Sequence, residues 1–156
     1  MRITRRGRYA LRASVALARL QSQGAPVSIN HLAEAENISS VFLEQIFFRL
    51  RKAGIVNSVR GPGGGFSFAK PLEQLTVREI LLAAGEELEL TACDKRVINC
   101  KRMVTCTSHS VWDEVTNIIN RYLEKITLAM VLRRETTGSE QPGRALAKTI
   151  PAEETA

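Results

Sequence analysis

The chain has 156 residues, 44% of them apolar and 24% charged, and a net charge of +6; this is the composition of a soluble globular protein and excludes a membrane-spanning bundle, since no apolar run approaches the roughly 18 residues a span requires. The start, MRITRRGRYALR, is charged with no apolar segment behind it, so no secretory leader is expected and a cytoplasmic location is. Three cysteines, an odd number, disfavour a disulfide framework, and no nucleotide fingerprint or nucleophile–base set indicates an enzyme.

The charge is unevenly placed. Residues 1–70 carry eleven Lys/Arg and three Asp/Glu, net +8, whereas residues 71–156 carry eleven and thirteen, net −2. A basic module followed by a near-neutral one points to a polyanion-binding domain joined to a sensing or assembly segment.

Thr4 is placed to cap a first helix reaching about Gln21, with Tyr9, Ala13, Ala16, Leu17 and Leu20 on one face. Five arginines (Arg2, Arg5, Arg6, Arg8 and Arg12) crowd its start, where cations oppose the helix dipole; a phosphate would relieve that conflict. Ser28 caps a short helix to about Ala35, and Ser39 caps a longer one to Ala53, with Gly54 suited to a left-handed terminus. Two helices joined by about three residues form a helix-turn-helix pattern. The runs Ile55–Val59 and Phe66–Ala69, separated by Arg60-Gly61-Pro62-Gly63-Gly64-Gly65, form a β-hairpin with a wide tip, the wing of a winged helix-turn-helix. The expected fold is therefore mainly α, a winged helix-turn-helix domain with a small β-hairpin wing, plus a long dimerisation helix.

In such a domain the second helix presents its N-terminal residues to base edges in the major groove. Ser39, Ser40, Val41, Phe42, Glu44 and Gln45 occupy those positions, and Gln45 suits adenine as Glu44 suits cytosine. Arg2, Arg5, Ser28 and Arg49 are candidate phosphate contacts, and Arg60, Gly61 and Gly63 of the wing are candidates for the minor groove and its backbone. Glu44 repels phosphate unless it finds a cytosine amine, so it acts as a discriminator. His31 is expected on an exposed helix face without a role.

A capping box, Thr76 to Glu79, opens a further short helix ending at Gly85, and the acidic Glu86, Glu87 and Glu89 lead on from it. All three cysteines then fall in a 17-residue window, CDKRVINCKRMVTCTSH, closed by one of the two histidines. Cys93, Cys100, Cys106 and His109 make a four-donor set of three thiols and an imidazole. Thiolates select zinc, copper(I) or iron–sulfur clusters. The gaps of six, five and two residues are longer than the paired spacing of structural zinc sites and suit a [2Fe–2S] cluster, with a [4Fe–4S] cluster or zinc as alternatives. Lys95, Arg96, Lys101 and Arg102 would offset the cluster's negative charge.

From about Ser110 one long helix is expected to Arg134. Its apolar stripe (Val111, Val115, Ile118, Ile119, Tyr122 and beyond) exceeds what a chain this small covers alone, so docking on the same helix of a second copy is expected. The polar segment Thr136–Ala156 reads as a disordered tail. The expected organisation is a DNA-binding domain over 1–75, a short helix and cluster loop over 76–110, a dimerisation helix over 111–135 and the tail.

SSVFLEQIFFRLRKAGIVNSVRGPGGG, the cysteine window and the stretch ending YLEKITLAMV together resemble the IscR iron–sulfur regulators within the Rrf group of bacterial winged-helix repressors. The resemblance covers about residues 1–135. It implies a homodimer on palindromic double-stranded operators, a [2Fe–2S] cluster on Cys93, Cys100, Cys106 and His109, and control of cluster-assembly genes, with cluster-donating scaffold proteins as further partners. It also implies DNA contacts by Ser39, Gln45 and Arg60, and a role for Glu44 in choosing between two operator classes. The chain departs from the IscR pattern in its first cysteine gap, six residues against five, and at Val41 and Phe42. A nitric-oxide or iron sensor on the same scaffold and a zinc-stabilised scaffold protein outside transcription are the rival readings.

Overall fold

The structure is a computed structural model and describes residues 2–21, 24–91 and 105–136. Cys93, Cys100, the four cations between Cys93 and Cys106, and the tail beyond residue 136 lie outside the described residues.

Helix α1, Arg5–Leu20, starts at Thr4, whose hydroxyl accepts from the Gly7 amide at 3.4 Å. Its small residues Ala10, Ala13 and Ala16 let it lie close to its neighbours, and Leu17 is fully buried. Ser28 caps α2, Ile29–Glu36, by accepting from the His31 amide at 3.2 Å. Asn37 ends it in the left-handed conformation (φ 51°), which allows the sharp turn into α3, Ser40–Lys52. Arg12 of α1 clamps that turn: its guanidinium bonds the Glu36 carboxylate and, at 3.0 Å, the Glu36 carbonyl. His31 is exposed, as expected.

Leu43, Ile46, Phe47 and Leu50 recur at helical spacing and form the buried face of α3. Strands β1, Val56–Val59, and β2, Gly65–Phe68, pair antiparallel with Val56 opposite Phe68 and Val59 opposite Gly65. The hairpin is held to α3 by Phe66, whose ring centroid lies 4.8 Å from that of Phe47. It is held to the start of α2 by a bridge between Val27 and Phe66.

The expected capping box is formed: the Thr76 hydroxyl accepts from the Glu79 amide at 3.2 Å and the Glu79 carboxylate accepts from the Thr76 amide at 2.9 Å. It opens α4, Val77–Ala84. Ile80 and Ala84 of α4 belong to the same core as α1 and α3, so α4 is an integral layer of the winged-helix domain.

The stretch expected as one helix from Ser110 to Arg134 is two: α5, Thr107–Lys125, and α6, Leu128–Thr136. The interruption at Ile126-Thr127 is set by tertiary hydrogen bonds. Val77 donates to the Ile126 carbonyl and Leu128 donates to the Leu75 carbonyl, both at 2.8 Å, forming a bridge between Thr76 and Thr127. Those carbonyl and amide groups are diverted from a continuous helix, and the Thr127 hydroxyl accepts from the Met130 amide at 3.3 Å to restart the coil. The turn lets Leu128, fully buried, return into the main core.

Candidate nucleic-acid interface and metal-ligand turn

The face of α3 opposite its core side carries Val41, Glu44, Gln45, Phe48 and Arg49, all exposed. Ser39 is the residue before the helix and is exposed, but its hydroxyl makes no capping bond, unlike those of Thr4, Ser28 and Thr76. It stands at the positive end of a 13-residue helix, where an anion is favoured. Ser40 is half-buried. Phe42 is half-buried too and packs edge-on against Tyr9 of α1, with centroids 5.9 Å apart, so much of its ring serves the α1–α3 contact.

Beyond the recognition face stand the cations. Arg49, Arg51 and Lys52 are exposed on the last turns of α3, and Arg51 reaches Ser58 of the wing at 3.4 Å. Arg60, Gly61 and Gly63 form the exposed wing tip, with Gly61 and Gly63 at φ 97° and 74°, values a side chain would strain. Arg2 and Arg5 are exposed at the start of α1, and Ser28 is exposed at the start of α2. The candidate DNA-contact residues thus come from α1, α2, α3 and the wing of one domain.

The conflict expected at the start of α1 is resolved within the chain. Glu86, only 5% exposed, accepts hydrogen bonds from the Thr4 hydroxyl, the Thr4 amide (2.9 Å) and the Gly7 amide (3.1 Å). Burial raises its affinity for a proton. The hydrogen bonds from Thr4 and Gly7, helped by the charge of Arg6, outweigh that and hold the carboxyl below the usual carboxylate range. A carboxylate, not a phosphate, therefore satisfies this helix terminus. The acidic run after Gly85 gave only the signal of unusual charge density; its partner is 79 residues away and was not legible.

The two described members of the proposed ligand set sit together. Cys106 is the residue before α5, a half-buried free thiol, and its carbonyl accepts from the His109 amide at 3.1 Å. That bond closes the first turn of α5, with the thiol-bearing residue just before the helix and the imidazole-bearing residue three positions on. Cys93 and Cys100 lie outside the described residues, and among the described residues no cluster of three or more His, Cys, Asp or Glu side chains forms a metal site. The other flank of the window also rests on α5: the Leu90 amide donates to the buried Thr116 hydroxyl at 3.3 Å, and Asn120 donates to the Leu88 carbonyl at 3.0 Å. A cleft of about 370 Å³ lies at that flank, between Arg2, Thr4, Glu86, Glu87, Glu89 and Leu90.

A helical pair, a hairpin wing and a basic rim around the exposed face of α3 define a winged helix-turn-helix DNA-binding protein. The chain belongs to the Rrf2 family, iron-dependent transcriptional regulators, which it matches over residues 3–134. It is 42% identical over 134 residues to a candidate HTH-type transcriptional regulator of Haemophilus influenzae, covering 86% of this chain and 88% of that one. It is 39% identical over 133 residues to the HTH-type transcriptional regulator IscR of Photobacterium profundum, covering 85% of this chain and 76% of that protein. Among solved structures, IscR of T. potens superposes with a TM-score of 0.70 at 29% identity, over 93% of this chain and 96% of that one. CymR, the global cysteine regulator of B. subtilis, shares the fold with a TM-score of 0.70 at 24% identity, over 86% and 98%. The chain is therefore a non-catalytic transcriptional regulator closely related to the IscR type. No helix among the described residues is long and apolar enough to cross a membrane.

Proposed function

We propose that this chain is a homodimeric repressor of iron–sulfur cluster assembly genes, and that a [2Fe–2S] cluster held by Cys93, Cys100, Cys106 and His109 sets its operator affinity. The observation that carries the reading is the seating of both flanks of the cysteine window on one helix, Leu90 against Thr116 and Cys106 beside His109. One thiol and one imidazole three positions apart at the start of α5 fit the donor chemistry of such a cluster. When bound, the cluster supplies one-electron redox chemistry and a dependence on iron and sulfide supply.

The chain's own contacts link that region to the DNA-binding elements. Glu86 bonds the start of α1, and the Arg49 guanidinium of α3 lies over Gly85. The apolar stripe of α5 supports the dimer: Ile118 is 51% and Tyr122 53% exposed, and Val111 and Trp112 lie along the same helix. A second copy that covers this stripe would place two α3 helices on one palindrome, about one DNA turn apart.

Anaerobic purification, iron and acid-labile sulfide analysis, and operator binding before and after cluster removal test the proposal. About two iron and two sulfide per protomer are expected, with a change in affinity for at least one operator. Zinc in place of iron, or failure to reconstitute any cluster, would overturn it. A bound cluster whose nitrosylation, and not its loading, alters binding would favour the nitric-oxide-sensing alternative.

A further inference from the structure

Up to Leu75, three large apolar side chains of the described residues are conspicuously exposed: Val41, Phe48 and Val59. All three lie on α3 or on β1 of the wing, elements that also carry or adjoin Arg49, Arg51, Lys52 and Arg60, and the Arg51 guanidinium lies 5.7 Å from the Phe48 ring centroid. Single exposed apolar residues scattered over a surface mean little. Three confined to the recognition helix and the wing strand of a basic face are not scattered.

Val41 is the most exposed of them, at 63%, and is the second residue of α3. Glu44 and Gln45 follow it by three and four positions and Phe48 by seven, so the four share one face. As a β-branched residue in a helix, Val41 is held in essentially one rotamer, so its two methyl groups project in a defined direction. Its neighbour Phe42 is committed to Tyr9, and Leu43 is fully buried, which leaves Val41 as the apolar group at the leading turn. In the major groove one base-edge feature is apolar, the C5-methyl group of thymine. Polar groups at this position would bond any of several bases; a valine discriminates by contact with that methyl.

We propose that Val41 reads a thymine methyl group at one position of each operator half-site, beside the bases met by Glu44 and Gln45. The inference rests on the DNA-binding reading of the α3 face and adds a specificity-determining residue to it.

The test uses the full-length protein and the duplex it enriches from a random-sequence pool. Each thymine in turn is replaced by deoxyuridine, which removes the methyl and leaves every hydrogen-bonding group in place. At one symmetry-related position, affinity is expected to fall roughly fourfold, the effect of exposing about one methyl group. Val41→Ala should bind the thymine and deoxyuridine duplexes equally at that position and leave the other positions unchanged; because the side chain is exposed, this variant folds as the parent does. Salt-sensitive binding with no methyl-dependent thymine, or a methyl dependence that survives in Val41→Ala, would overturn the assignment while leaving DNA binding intact. Failure to enrich any duplex would instead sink the DNA-binding reading on which it stands.

Discussion

Gly7 and Glu86 are in direct contact across 79 residues of sequence, the Gly7 amide donating to the Glu86 carboxylate at 3.1 Å. A Cβ on Gly7 would stand 2.6 Å from the Glu86 side chain, closer than carbon atoms approach. The glycine thus admits the carboxylate to the first turn of α1, where Thr4 completes its hydrogen bonds. A helix that begins with five arginines nearby is stabilised at its positive end by one buried acid.

Gly7→Ala should therefore destabilise the fold by about 1–3 kcal/mol, the usual cost of overpacking, seen as a lower urea midpoint at unchanged slope. In combination with Glu86→Ala the losses should not add, because each substitution disrupts the same contact. Strict additivity in the double-mutant cycle would show that the two residues act independently.

Acid stability follows from the same contact. The folded-state carboxyl of Glu86 is held below its ordinary value of 4.5, so the unfolded chain binds more protons there. Its contribution is present above that value and is lost as pH falls through the lower, folded one. Glu79, against which burial also works, is held low by the Lys70 ammonium and Thr76 and loses stability over the same window. Glu86→Gln should flatten the decline of unfolding free energy below about pH 4.5, and Glu79→Gln should flatten what remains. An unaltered acid limb in the double variant, measured by chemical denaturation, would contradict this assignment.

The proposed dimer would rest on the outward stripe of α5. Ile118→Glu places a charge at its centre, so sedimentation should show a monomer with unaltered helix content. Operator affinity should drop at least about tenfold, since two linked half-site contacts become one. A dimer that persists would move the interface elsewhere.

Phosphate and base contacts separate by their salt response. If roughly six phosphates are neutralised, the log–log slope of affinity against salt is about −5. Arg60→Ala should make that slope shallower by about one unit and weaken all duplexes alike. Glu44→Ala should leave the slope in place and widen the range of duplexes bound in competition. A wing variant that altered sequence preference with no effect on slope would assign Arg60 to base reading.

Most of the DNA-binding half was legible in the chain because its signals are local. Helix starts at Thr4, Ser28 and Thr76 are set by side chains within three residues, and the glycine-rich wing tip by backbone freedom at Gly61 and Gly63, whereas the cap expected of the Ser39 side chain is not made. The continuous helix expected from Ser110 to Arg134 shows where local reading stops. No proline or glycine marks Ile126-Thr127, and the break exists because the Leu75–Val77 segment draws off its backbone groups. Likewise the exposed Glu87 and the buried Glu86 look alike in sequence, and only the approach of α1 separates them.

By itself the sequence determined the caps of α1, α2 and α4, the α3 core face, the charge polarity and the four candidate ligand donors, all of which follow from spacing and side-chain chemistry within a few residues. The tertiary structure alone decided that Glu86 seals α1, that α5 and α6 part at Thr127 and that Phe42 turns to Tyr9. Those depend on which distant backbone and side-chain groups meet. Such meetings are set by the packing of whole elements around one core, which no local pattern encodes.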